Sequence, residues 1–80
     1  MDAKITTLSE IPVGSSVRIR DLLLEGDTRI RLLELGLLPG ALVRLVRRAP
    51  LGCPIEVDVS GARFSLRRDL LEAILVDDCA

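Results

Sequence analysis

Apolar and polar residues alternate in several short segments of this chain, a pattern typical of β-strands that bury one face. The alternation is strictest in residues 55–59, where three apolar side chains face one side and two carboxylates face the other. Residues 62–66 alternate again, and Ser60-Gly61 between them is a tight-turn sequence. The two segments predict a β-hairpin with Val57 in its buried face.

Other segments predict strands on either side of that hairpin. In residues 17–20, two β-branched residues alternate with two arginines after a Gly-Ser turn. Residues 41–48 alternate imperfectly, so part of this strand is expected to be covered on both sides. Two prolines and a glycine make residues 49–54 a loop. A helical turn at 69–72 then leads to a closing strand at 73–76, and the tail from 77 onward is expected to fray.

One α-helix is predicted at residues 29–35. Asp27 or Thr28 is expected to accept hydrogen bonds from its first amides. Gly36 follows the last turn, at the position where a left-handed residue ends many helices, and Pro39 prevents the helix from resuming.

Together these elements favour a mainly β fold. Four or five short strands, one short helix between the early strands and a helical turn near the C-terminus predict a small SH3-like β-barrel, whose closure would remove exposed strand edges. Eighty residues are enough for one domain, which is expected to span 1–80. Because 49% of the residues are apolar, some apolar surface of so small a domain must stay exposed.

Charge and targeting signals narrow the function classes. Eleven basic and twelve acidic residues give a formal charge of -1, and Phe64 is the single aromatic residue, so the chain lacks the signature of a nucleic-acid binder. There is no apolar signal-peptide core and no run long enough to span a bilayer. A cytoplasmic protein without membrane insertion is therefore expected, with Cys53 and Cys79 as free thiols.

The sequence offers little for catalysis or for a cofactor. It contains no histidine and no tyrosine, so the usual general base near neutral pH is absent. The carboxylates match no known metal-binding loop, and no phosphate-binding glycine motif occurs. We therefore expect no catalytic residue, no cofactor and no metal site, and we interpret the paired arginines at 47–48 and 67–68 as solvated strand ends.

The predicted helix has two apolar faces. At about 100° per residue, Ile30 and Leu33 project to one side, while Leu32 and Leu35 project nearly opposite. A helix lying on a barrel buries one of these faces. Either residues 36–38 fold back over the second face, or that face is a leucine patch for a partner; the sequence leaves both open.

Three motifs, in order, resemble one protein family. They are LGLLPG at residues 35–40, APLGCPI at 49–55 and LRR at 66–68. Over residues 8–76 the chain resembles the FeoA family, small bacterial proteins that accompany the ferrous iron transporter FeoB. The resemblance implies an SH3-like barrel without enzyme activity, which binds the cytoplasmic, GTP-hydrolysing part of FeoB and supports ferrous iron uptake.

The same resemblance implies a contact region in the helix before LGLLPG, which here comprises Leu32, Leu33 and Leu35. Since Leu32 and Leu35 share a face, these two are predicted to dock on the partner. An alternative follows from the similarity of FeoA to the C-terminal domain of DtxR-type iron-dependent repressors: a free-standing SH3-like module that acts with such a regulator. Weak self-association is a third alternative, supported by the apolar composition alone.

Overall fold

A computed structural model describes residues 4–78 of the chain, so Cys79 and Ala80, in the tail predicted to fray, lie outside the described residues. The prediction is wrong for positions 77 and 78, which belong to the last strand and pair with the first. Six strands and two short helices follow one another along the chain. They are β1 (Lys4–Thr7), β2 (Ser16–Leu22), α1 (Gly26–Glu34), β3 (Leu42–Arg48), β4 (Ile55–Val59), β5 (Ala62–Leu66), α2 (Arg68–Leu71) and β6 (Ile74–Asp78), with a 3-10 turn at Leu8–Glu10 after β1.

All six strands belong to one antiparallel sheet, in the order β1-β6-β2-β3-β4-β5. The mainly β prediction is confirmed. The expected closure is wrong for the hydrogen-bonded ladder, because among residues 4–78 the outer strands β1 and β5 each pair on one side only. Register shifts between Ile19 and Asp21 and between Leu45 and Arg47 bend the sheet around its core instead.

The core follows from strand alternation. Every second residue of β4 is buried, and Val57 is fully inaccessible, as predicted. The turn after it has positive φ at both Ser60 and Gly61, 55° and 87°, which is the type I′ geometry that matches the twist of a hairpin. The β3 alternation breaks at the bulge between Leu45 and Arg47, which accounts for its imperfect pattern. Among the described residues, no polar or charged side chain is buried.

The start of α1 differs from the prediction, whereas its end agrees with the prediction. The helix begins at Gly26 with Glu25 as N-cap, and no side chain caps it, so the predicted capping by Asp27 or Thr28 is wrong. Gly36, at φ 100°, ends the helix as predicted. Its amide donates to the Leu33 carbonyl, and the Leu37 amide donates to the Leu32 carbonyl, each at 3.0 Å. This is the Schellman motif.

The chain then turns back onto the sheet through Leu38–Pro39–Gly40–Ala41. The Ala41 amide donates to the Leu38 carbonyl at 2.9 Å, and Gly40 has φ 90°, as a type II turn with proline at its second position requires. The Gly40 amide donates to the Ile19 carbonyl at 2.6 Å, and Arg18 Nη1 donates to the Gly40 carbonyl at 3.0 Å. The LGLLPG motif therefore has a structural role: it ends α1 and fixes the entry to β3.

Replacing Gly36 by alanine is expected to lower the free energy of unfolding by about 1–2 kcal/mol, because a Cβ is strained at φ 100°. The Cβ itself would meet the Val59 Cγ1 atom at an ordinary 3.6 Å, so crowding adds little. Urea denaturation measures the change. Gly36→Asn serves as the control and should lose less, because asparagine tolerates left-handed backbone better; equal stability of the alanine variant and the wild type would contradict the assignment.

Candidate functional site

A groove of about 550 Å³ runs between α1 and the segment that joins β5 to α2. Leu32 and Leu66 lie at its floor, with 2% and 5% of their surface exposed. Leu35 and Leu70 continue this apolar surface toward the rim, and Leu35 is 42% exposed. The other lining residues are polar or charged: Asp27, Thr28, Arg31, Ser65, Arg67 and Asp69.

The three leucines predicted to bind a partner occupy three different environments. Leu32 is buried in the core, so the prediction that it shares an exposed face with Leu35 is wrong. The cause is the Schellman motif, in which the residue after the left-handed glycine packs on the helix: Leu37 folds back and is fully buried in the same cluster as Leu32. Leu33 is partly buried and packs against that cluster, whereas Leu35 is half-exposed.

The sequence predicted two apolar faces on this helix. The structure buries the strip of surface that lies between these faces, and buries neither face completely. Leu32 and Leu33 are adjacent in sequence and about 100° apart, and both turn toward the sheet. Ile30, which was grouped with Leu33, is 54% exposed. Leu32 and Leu35 nevertheless line the same groove, one as floor and the other as rim, while Leu33 does not line it. Their role in binding stays a prediction.

The rim of the groove carries balanced charge. Two carboxylates, Asp27 and Asp69, and two guanidinium groups, Arg31 and Arg67, line it. Within residues 5–77, whose side chains the structure describes, none of the four belongs to an ion pair, whereas five other arginines each lie within 4.0 Å of a carboxylate oxygen. A partner would therefore meet an apolar floor and rim charges of both signs that have no partner of their own in this part of the chain.

Sequence reasoning missed half of this groove. Leu66 was assigned to the hairpin and Leu70 to the helical turn, but nothing in their spacing shows that both come to lie beside α1, some thirty residues earlier in the chain. Leu66 ends β5 and is followed by two arginines, so the local sequence carries no signal for a groove. The groove arises only from the packing of α1 beside this end of β5.

Chemical groups for a reaction or a metal ion are sparse in the described structure. Across positions 5 to 77, no cluster of three or more cysteine, aspartate or glutamate side chains is arranged to hold a metal ion. Cys53 lies exposed in the β3–β4 loop and does not line the groove. Neither helix in this part of the protein is long and apolar enough to cross a membrane.

A curved antiparallel sheet of short strands, with an apolar groove beside its one longer helix, defines a small SH3-like protein. The FeoA domain model matches residues 6–78, which is nearly the whole chain. The chain belongs to the FeoA family. Among curated proteins, the sequence search gave no significant match.

Solved structures agree with this assignment. The FeoA protein from Chlorobium tepidum is 39% identical, with a TM-score of 0.88 over 94% of this chain and 71% of that one. FeoA from Stenotrophomonas maltophilia, crystallised with zinc, is 37% identical, with a TM-score of 0.76 over 90% of this chain and 89% of that one. It is described as a prokaryotic SH3 domain protein with a suggested role as a ferrous iron transport activating factor. The SH3-like prediction is thereby confirmed.

Other solved structures share the fold at lower identity. The IdeR protein of T. acidophilum is 22% identical, with a TM-score of 0.79 over 98% of this chain but only 36% of that one. A manganese-dependent transcriptional repressor is 16% identical, with a TM-score of 0.81 over 98% of this chain and 44% of that one. At these identities the similarity concerns the fold alone.

Proposed function

We propose that this protein is a non-enzymatic accessory protein of ferrous iron uptake, which docks through the α1 groove onto the cytoplasmic, GTP-binding part of a FeoB-type transporter. Membership in the FeoA family indicates an accessory role in ferrous iron transport. The observation that carries the docking proposal is the groove itself, in which the half-exposed Leu35 adjoins an apolar floor.

Leu35 gives the docking proposal an energetic basis. Covering the exposed part of this side chain would contribute about 1 kcal/mol, whereas the floor leucines, Leu32 and Leu66, are already buried and add little area. In protein interfaces a few well-packed, desolvated side chains carry most of the binding energy, and the contacts around them exclude water.

Binding suits the groove better than catalysis does. Its lining offers two hydroxyl groups, on Thr28 and Ser65, and charged groups of both signs, but no thiol. The chain has no histidine that could activate a hydroxyl group as a nucleophile. The groove is therefore interpreted as a recognition surface, and the protein as one that acts through its partner on the cytoplasmic side.

Leu35→Lys is expected to weaken binding to FeoB at least about tenfold, because it replaces the exposed apolar contact by a charge that the partner must desolvate. Lysine is chosen because a cation is favourable at a helix C-terminus, which keeps the fold intact. The measurement is a pull-down against full-length FeoB and against its isolated soluble domain, with and without a GTP analogue, followed by titration of the soluble domain.

Leu51→Lys provides the matched control. Leu51 is 97% exposed in the β3–β4 loop and does not line the groove, so the same substitution there should leave binding unchanged. Equal losses in both variants would show that charge alone, rather than the groove, determines binding. No binding by the wild-type protein in any nucleotide state would refute the transporter proposal and shift support to a DtxR-type regulator or to self-association.

A further inference from the structure

The outer edge of β5 presents backbone hydrogen-bonding groups in a regular pattern. In a two-residue type I′ hairpin, the residues that flank the turn form a hydrogen-bonded pair, here Val59 and Ala62. With the observed register, Phe64 and Leu66 therefore also bond to β4. Arg63 and Ser65 alternate with them, so their amides and carbonyls point away from β4.

These outward groups have no partner in the described structure. β5 is the last strand of the sheet, and between positions 4 and 78 neither Arg63 nor Ser65 makes a backbone hydrogen bond beyond the β4–β5 hairpin. An unpaired strand edge is a template for a further strand, and proteins commonly protect such edges. Arg63, which pairs with Asp58, is the one charged side chain along this strand.

The same edge forms one wall of the α1 groove. Ser65 and Leu66 line the groove from the β5 side, and Asp27, Arg31 and Leu35 line it from the α1 side. Ser65, with its unpaired backbone groups, thus adjoins the groove, whereas Arg63 lies two residues further along the same edge and does not line it. Backbone recognition and side-chain recognition can therefore act on one ligand.

We propose that the α1 groove binds an extended segment of the partner protein, which adds to β5 as a seventh strand and places alternate apolar side chains on the groove floor. This inference rests on the proposed function and specifies the conformation of the partner's contact segment. Four hydrogen bonds, two from Arg63 and two from Ser65, would fix the register. Leu32, Leu66 and Leu35 would receive the inward side chains.

The unpaired backbone groups of β5 favour a single extended chain over a helix. An added strand lies about 4.8 Å from its neighbour, whereas a helix with its side chains is about 10 Å wide and would leave the outward backbone groups of β5 desolvated without partners.

The residues that line the groove also indicate which amino-acid sequence the partner's extended segment should have. Side chains at every second position should be apolar, because the floor is formed by leucines. The rim charges of both signs give no preference for a strongly acidic or basic sequence. Proline is disfavoured at the positions that face Arg63 and Ser65, because it cannot donate to the ladder.

Amide hydrogen exchange, followed by NMR on the full chain, tests the proposal with the FeoB soluble domain as the probe. In the free protein the Phe64 and Leu66 amides should exchange slowly, and the Arg63 and Ser65 amides quickly. Addition of the soluble domain should slow exchange at Arg63 and Ser65 by at least about tenfold, since both amides would then be hydrogen-bonded.

Two substitutions at one position separate the backbone contribution from the side chain. Ser65→Pro removes the outward amide while leaving the β4 ladder intact, and should weaken binding of the soluble domain at least about tenfold. Ser65→Ala keeps the amide and removes only the hydroxyl group, so its loss of binding should be much smaller than that of Ser65→Pro. Exchange at Phe64 and Leu66 checks that the proline variant retains its hairpin.

The outcomes distinguish this inference from the proposed function. Binding that requires Leu35 but leaves the Arg63 and Ser65 amides unprotected would overturn the strand proposal and leave the docking proposal standing. Protection of those amides by raising the protein concentration alone would identify a second copy as the occupant, and also overturn it. If the soluble domain does not bind at all, both proposals fail.

Discussion

Val57→Asp is expected to unfold the protein. Val57 is fully buried at the centre of β4, between β3 and β5, and no basic side chain is buried nearby to pair with a carboxylate. An unpaired buried charge costs several kcal/mol. A domain of this size has only about 4–12 kcal/mol of total stability, so one such charge is enough to remove the native state or most of its margin. Thermal denaturation followed by circular dichroism should show no cooperative transition, or one shifted far downward.

Val13→Asp is the matched control for that experiment. Val13 precedes β2 and is 50% exposed, so a carboxylate there stays in water and should change the unfolding temperature little. A Val57→Asp protein that unfolds cooperatively at the wild-type temperature would mean that the faces of the hairpin are inverted.

Leu32→Glu is expected to have the second largest effect and to abolish cooperative unfolding as well. Leu32 is 2% exposed and shares the core cluster with Leu37, so a glutamate there would place a charge under the groove. The loss of packing adds about 2–5 kcal/mol, the range for truncating a buried leucine. Any loss of partner binding in this variant would therefore report the loss of structure rather than the loss of a contact.

Leu35→Glu, a substitution only three residues away, distinguishes the structural role of Leu32 from the exposed position of Leu35. Its side chain can remain in water, so the variant should stay folded, with at most about 1 kcal/mol lost from the unfavourable interaction of a carboxylate with the helix C-terminus. Circular dichroism and denaturant unfolding of both variants provide the comparison. A folded Leu32→Glu protein beside an unfolded Leu35→Glu protein would reverse the assignment of floor and rim.

The sequence predicts a part of the fold well where the alternation of apolar and polar residues matches the side of the strand that is buried. The β4–β5 hairpin alternates because one face is core and the other water, and its Ser60-Gly61 turn is dictated by backbone geometry. By contrast, β1 has only four residues and no clear alternation, and it becomes a strand because β6 supplies its hydrogen bonds. Likewise, the missing closure of the sheet depends on long-range geometry rather than on any one segment.

The groove could be predicted from the sequence less well than the hairpin, because helical periodicity does not show which side chains are buried. Helical periodicity placed Leu32 and Leu35 together, and both do line the groove. It could not tell which of the two is buried, because this depends on Leu37, which returns to the core only after the helix has ended at Gly36. The free edge of β5 was not foreseeable while a closed barrel was expected, since closure would have paired the Arg63 and Ser65 backbones.

The pairing of β1 with β6 has a consequence for how the fold can be combined with other sequences. Lys4 lies opposite Asp78, so the two ends of the described chain leave the sheet side by side. A linker of a few residues could join them, and new ends opened near Leu51, in the exposed β3–β4 loop, would give a circular permutant with every strand in place. Adjacent ends also allow the module to be appended to a larger protein without distortion, in keeping with the two longer chains in which the matched part is 36% and 44% of the length.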